Sequence, residues 1–351
     1  LVGCNSKLKF RAVRPKKVLV LGGTGFFGPV LVEELIKAGH EVTLFNRGIS
    51  NPHLFPQLRR LKGDREIENT NGLNALKSSK LEWDWVVDTW QNSPKCVQDT
   101  SELLKGRVGL YQYVSTFSVY DKWDRIGIKE NEPLNPVPEM PTSVIKTHRY
   151  AIRKTLSELA LNQIMGNSVA MFRSHGMRGE RKAEGSKHEP YWQVRVARGG
   201  DMIIPAEADY YQITDVVSLA KFMVHCGEQQ ITGPFNVACK PTKFDQFLLN
   251  ISKTVGSDIR LHRIPLEFLT KHGINIWYTN RVAGRYRFNV DQALNNGLKI
   301  RPHQELTLDQ LKGYKARHPK DDFVFGKPGG IQAEKEKMLL KLWQKMQKSN
   351  V

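Results

Sequence analysis

The sequence predicts an α/β protein, a doubly wound parallel sheet followed by a smaller C-terminal lobe. Three observations carry that prediction. Through residue 175, short apolar runs suited to buried strands alternate with stretches of helical spacing. A glycine-rich turn joins the first apolar run to the first helical stretch. Beyond residue 175 the rhythm changes, and glycine, charge and short strands mix with longer helices.

Lys17 to Leu21 is a continuous apolar run of the kind a two-sided buried strand requires. Phe26 to Ala38 follows with Phe27, Val30, Leu31 and Leu35 at helical spacing, and Glu41 to Phe45 reads as the second strand. This is a β-α-β unit. Further strands are expected at Leu58 to Leu61, Trp85 to Asp88, Leu110 to Ser115 and Val169 to Phe172, with helices at Val97 to Leu104 and Thr147 to Leu161. Helices are also expected at Lys243 to Val255 and Ala333 to Met346. The expected organisation is a basic arm over 1–16, a dinucleotide-binding core over 17–175, and a substrate lobe over 176–351 interleaved with the last sheet strands.

Gly22-Gly23-Thr24-Gly25-Phe26-Phe27-Gly28 is a G-x-x-G-x-x-G at a strand-to-helix junction. In such a loop the first glycine permits the tight turn, the second lets the backbone approach a pyrophosphate, and the third lets helix pack on strand. The helix N-terminus then presents unpaired N–H groups and a positive dipole end to the phosphates. An NAD enzyme is expected to carry Asp or Glu at the end of the second strand. Here Asn46 and Arg47 stand there, and Arg47 suits a 2′-phosphate, so NADP is expected over NAD. Asp64 is placed to meet the adenine amino group, and Asp88 and Thr89 end the fourth strand beside the cofactor path.

Carbonyl reduction by hydride transfer needs a proton donor beside the substrate oxygen, and a tyrosine serves at neutral pH when a cation lowers its pKa. Among the ten tyrosines only Tyr150 has a lysine, Lys154, four residues later, one helical turn away on the same face. The preceding strand ends in hydroxyls, and Thr116 or Ser115 is expected to bind the same substrate oxygen as Tyr150.

This combination resembles the short-chain dehydrogenase/reductase superfamily in its extended or atypical NAD(P)-dependent epimerase/dehydratase branch, and the resemblance spans nearly the whole chain. Tyr211 to Val217, with Asp215 opening a helix, and Gly233 to Val237 resemble later segments of that family. The resemblance implies a Rossmann fold in which Thr116 positions the substrate, Tyr150 is the acid/base, and Lys154 binds the nicotinamide ribose while lowering the tyrosine pKa. It implies hydride transfer on a sugar or related carbinol, by epimerisation, dehydration or reduction. Two alternatives are a non-catalytic NADP-binding redox sensor and an RNA-binding protein like some chloroplast relatives. The chain departs from the family pattern at Leu21, at Ala151, and at Arg173-Ser174-His175, where His175 is a candidate substrate contact.

Lys and Arg number 53 against 35 Asp and Glu, a net charge of +18 that favours anionic partners. No aromatic-basic recognition motif accompanies it, so a small sugar-like substrate is expected rather than nucleic acid. No apolar run reaches the roughly 20 residues of a membrane-spanning helix. The four cysteines show neither disulfide-framework nor metal-ligand spacing, so no metal is expected. Leu1-Val2-Gly3-Cys4 resembles a bacterial lipobox, and Lys7, Lys9, Arg11, Arg14, Lys16 and Lys17 follow it. The expectation is a lipoprotein tethered to the cell envelope through Cys4, with a cytoplasmic enzyme as the alternative.

Overall fold

The computed structural model describes residues 14–144, 148–180, 189–274, 282–325 and 330–349. Cys4 and most of the basic arm lie outside the described residues.

Among the described residues there are eleven strands: β1 (Lys17–Leu21), β2 (Glu41–Asn46), β3 (Arg59–Lys62), β4 (Trp83–Asp88), β5 (Val108–Thr116), β6 (Val169–Ser174), β7 (Gly200–Pro205), β8 (Tyr210–Tyr211), β9 (Gly233–Val237), β10 (Thr242–Lys243) and β11 (Ile259–Ile264). Seven of them form one parallel sheet in the order β3-β2-β1-β4-β5-β6-β9. The apolar run of β1 explains its central place: Val18, Leu19 and Val20 are fully buried, with Val18 opposite Val42 on one side and Trp85 on the other. Strand order reverses between β1 and β4, the switch point at whose carboxyl ends open α/β sheets bind ligands.

Helices α1 (Gly28–Lys37), α2 (Asn74–Ser78), α3 (Pro94–Leu104) and α4 (Tyr150–Met165) belong to the first half of the chain. Helix α1 buries Val30, Leu31 and Leu35 as its spacing predicts. The helix expected from Thr147 begins at Tyr150; residues 145–147 lie outside the described residues. Starting at Tyr150 puts its side chain at the mouth of the helix, on the sheet's carboxyl edge.

The later helices are α5 (Tyr191–Ala197), α6 (Val216–Gln229), α7 (Phe244–Val255), α8 (Leu266–Lys271), α9 (Asp291–Asn295), α10 (His303–Arg317) and α11 (Ala333–Ser349). Helix α6 packs beside α1 on the large sheet, and Asp215 caps it by accepting from the N–H groups of Val217 and Ser218. The lobe has its own core, with Trp192, Ile203, Phe244, Phe247, Leu269 and Leu339 gathered around the two-stranded β7–β11 sheet. Among the described residues Cys96, Cys226 and Cys239 are free and buried.

Candidate active site

A cleft of about 390 Å³ opens at the switch point, lined by the loop from Gly22 to Gly28, by Arg47 and Asp64, and by Thr89 and Trp90. The loop's glycines are explained by space. Gly22 has φ +111°, and a Cβ there would stand 2.7 Å from Thr89 Oγ1. A Cβ on Gly28 would lie 2.5 Å from the Gly23 carbonyl carbon, whereas one on Gly25 would meet nothing within 4 Å. Gly28 therefore serves close packing, and Gly25 leaves backbone open to the cleft. Helix α1 starts with no side-chain cap, so its first-turn N–H groups have no partner of that kind. An open backbone and an uncapped, positively polarised helix end fit a pyrophosphate.

Thr24, Phe26 and Phe27 line the same cleft. Its rim is fixed by amides: Asn46 Nδ2 donates to the Gly22 carbonyl at 2.7 Å, Asn46 Oδ1 accepts from Gly48 N–H, and Asn51 Nδ2 donates to the Thr24 carbonyl. Asn46 thus shapes the loop. Thr89 Oγ1 donates to the Leu21 carbonyl at 3.0 Å and closes the gap between β1 and β4. Arg47 is half-exposed and stands 3.9 Å from Asp64, whose other oxygen accepts the Glu66 N–H.

Asp88 has a different place from the one its sequence position suggests. It is fully buried, receives Arg65 through two bonds of 2.7 and 2.8 Å, and accepts from the Tyr111 hydroxyl at 2.6 Å and the Trp90 N–H. Burial alone would raise its pKa, but these donors, Arg65 foremost, bring it below the ordinary value. With every lone pair engaged, Asp88 supports the floor of the cleft and has nothing left for a cofactor.

At the Tyr150 end, Thr116 terminates β5 and accepts the Ser118 N–H. Ser115 faces the other way, buried and donating to Glu158, which leaves Thr116 as the hydroxyl of the site. Tyr150 keeps 41% of its surface exposed, yet its phenol oxygen rests among protein atoms. That burial raises its pKa, partly offset by the neighbouring Thr116 hydroxyl and by the charge of Arg153.

Lys154, whose ammonium the resemblance sets beside Tyr150, has its hydrogen bonds elsewhere. It is 2% exposed, and its Nζ donates to the carbonyls of Val114 (2.6 Å) and Trp90 (2.7 Å) and to the Tyr113 hydroxyl (3.1 Å). Burial pushes its own pKa down to about 7. A long side chain in a helix facing a sheet finds main-chain carbonyls before it finds a phenol one turn back.

His175 packs among Phe117, Trp123, Tyr286 and Phe288, with ring centroids 5.1–6.1 Å away. Burial, with Arg285 and Arg178 nearby, drops its pKa to about 3, so it is an uncharged ring in an aromatic cluster.

Sequence reasoning missed a second buried network behind Thr116. Arg173 binds Glu158 at 2.7 Å and the Tyr120 hydroxyl at 2.9 Å, and Tyr120 donates to Asn236 on β9 at 2.6 Å. The one signal available was Glu158, four residues past Lys154 on the same face of α4.

This fold and loop agree with what the chain is similar to. Residues 18–238 match the NAD dependent epimerase/dehydratase family, and the chain belongs to that family, an NAD-binding one with a Rossmann fold. A stretch of 135 residues is 28% identical to the chloroplast stem-loop binding protein of 41 kDa b of Arabidopsis thaliana, covering 34% of each chain, so the match spans about a third of that relative's length. The enzyme WbmH of Bordetella bronchiseptica, solved in complex with NAD+, superposes with a TM-score of 0.60 at 17% identity over 86% of this chain and 99% of its own. UDP-N-acetylglucosamine 4-epimerase from Bacillus cereus gives 0.60 at 17% identity over 84% and 98%. At such identities the likeness is one of fold.

Proposed function

We propose that the chain is an enzyme that moves hydride to or from a carbinol carbon of a sugar-like small molecule, with Tyr150 as its acid/base and NADP as its preferred cofactor. The observation that carries this reading is that the Tyr150 phenol and the Thr116 hydroxyl are neighbours on the sheet edge where the glycine loop opens its cleft. The family, and the fold shared with a sugar-nucleotide epimerase, support the substrate class.

Each part of the chain then has a task. The backbone from Gly22 to Gly28 and the first turn of α1 hold the pyrophosphate, Arg47 and Asp64 flank the adenosine end, and Thr89 and Trp90 border the route to the nicotinamide. When bound, the nicotinamide supplies or accepts the hydride. Tyr150, its pKa raised, holds its proton at neutral pH and donates it to the substrate oxygen, while Thr116 hydrogen-bonds the same oxygen. In the reverse direction Arg153, the cation acting on Tyr150, eases removal of the phenol proton. Lys154 fixes α4 against β5 and Trp90, so that Tyr150 is presented at a set height.

The test is oxidation of NADPH with a panel of keto-sugars. Tyr150→Phe should lose on the order of 100-fold or more in turnover while binding cofactor normally. Full activity in that variant overturns the assignment. A second reading, binding of structured RNA, is favoured by the chloroplast relative's name and by the charge of +18. It requires RNA affinity that falls steeply with salt and is indifferent to Tyr150→Phe.

A further inference from the structure

Helix α11 has two apolar faces, although only one is needed to hold it. Leu339 and Leu340 are buried in the lobe core, Trp343 packs on Phe268 at 5.1 Å, and Glu336 is held by Arg195 at 2.6 Å and the Ile203 N–H at 2.8 Å. These contacts dock the helix. Met338, Leu342 and Met346 recur at every fourth position on an adjacent face and remain 53, 36 and 42% exposed. At 3.6 residues per turn, this stripe lies between the docked edge of Leu339 and Trp343 and an edge formed by Lys341, Lys345 and Lys348. The three lysines are exposed, and no acidic residue occurs between Lys337 and Ser349.

We propose that this face of α11 is a docking surface for an anionic phospholipid bilayer. The helix would lie in the plane of the interface, with Met338, Leu342 and Met346 entering the acyl boundary and the lysines reaching the headgroups along one side. An unbranched, polarisable thioether at two of three positions suits an irregular, fluid partner. Lys341 and Lys348, both exposed, have the long apolar stems that suit the boundary beside the stripe, with their charges towards the headgroups. The charge complementarity is specific in sign: a helix of this sequence meets a negative surface without a single opposing carboxylate from its third turn on, in a chain of net charge +18. Nucleic acid would use the lysines and leave the apolar stripe without a task. The surface is separate from the cleft and does not depend on the hydride-transfer reading.

Sedimentation of the full chain with vesicles tests this. The chain should pellet with phosphatidylcholine mixed with phosphatidylserine, not with phosphatidylcholine alone, and added salt should weaken the association. Changing Met338, Leu342 and Met346 together to Ser should lower partitioning roughly tenfold or more, and Lys341→Glu with Lys348→Glu should do the same. Because the stripe lies outside the cleft, cofactor binding and the far-ultraviolet circular dichroism of the folded chain serve as controls and should not move. Failure to bind anionic vesicles overturns the proposal. So does binding that survives the triple Ser substitution, which would assign it to charge elsewhere on the chain. Capture of an RNA duplex that needs the lysines but not the apolar stripe, with no vesicle binding, overturns it in favour of nucleic acid.

Discussion

At the glycine-loop end of the cleft, the atoms that face a ligand belong to the main chain; at the Tyr150 end they belong to side chains. The difference extends to what holds each end in place. Beneath the loop end lies Asp88 with Arg65 and Tyr111, all buried, and Arg65 Nε has no hydrogen-bond partner among the described residues. Beneath the Tyr150 end lies Glu158 with Arg173, and there the guanidinium also reaches Tyr120 and the Glu130 carbonyl. Both are arginine–carboxylate pairs with a tyrosine attached. One arginine depends on its carboxylate for most of its bonds, and the other has alternatives. A backbone site tolerates that dependence because its shape is set by glycines, whereas a side-chain site needs each hydroxyl oriented by more than one neighbour.

The comparison can be broken by removing one carboxylate at a time. Asp88→Ala leaves the Arg65 charge enclosed with only the Cys96 carbonyl as acceptor. A loss of about 3–5 kcal/mol is expected from urea unfolding. Glu158→Ala should cost less, since Arg173 keeps Tyr120 and the Glu130 carbonyl, but it should disturb turnover more than its stability loss suggests, by freeing Ser115 beside Thr116. Equal stability losses with no difference in turnover would erase the distinction between the two ends.

How much of this was legible follows the same division. The glycine loop, the order of strands around it and the Tyr150–Lys154 spacing could be read from sequence because they are local: a turn needing positive φ, a buried run, two residues one turn apart. Asp88 was legible as the end of β4 but not as a buried group, since its partners Arg65 and Tyr111 are 23 residues away on either side. Arg173 was visible only as a family position; that it meets Glu158 and Tyr120, and through Tyr120 reaches Asn236, depends on β6 lying between β5 and β9. Lys154 shows the limit most clearly. Spacing placed it correctly on the helix, and packing decided which acceptors it meets.

Lys154 sharpens the comparison through pH. Its pKa is pushed down to about 7 by burial, from an ordinary value of 10.5, so the folded chain loses this proton near neutrality while the unfolded chain keeps it. Stability should therefore rise with pH from about 7 towards 10, as far as this group is concerned. If the ammonium supports the bound cofactor, NADPH affinity should fall over the same range in which stability rises. Lys154→Met should flatten both trends, as followed by NADPH fluorescence titration and by unfolding at pH 6 and 9. A binding profile unchanged by the substitution would confine Lys154 to its contacts with Val114, Trp90 and Tyr113.

The smallest effect is expected at the adenosine end, where Arg47 stands 3.9 Å from Asp64 with both side chains substantially exposed. An exposed pair of this kind contributes roughly 0–1 kcal/mol to stability, so neither residue is there for the fold. Their opposite charges act in opposite directions on a 2′-phosphate. Arg47→Ala should weaken NADPH by about tenfold, or 1.4 kcal/mol, and leave NADH within about twofold. Asp64→Asn removes a competitor for the Arg47 guanidinium and a negative charge from the phosphate's surroundings, so it should strengthen NADPH by a smaller factor, about two to fivefold, with screening by salt reducing the gain. Parallel titrations of both variants with both cofactors decide the matter. If Arg47→Ala weakens NADPH and NADH alike, the arginine serves the rim of the cleft and the preference for NADP is lost as a reading. If Asp64→Asn instead weakens NADH more than NADPH, Asp64 belongs to the adenine, as its position after β3 first suggested.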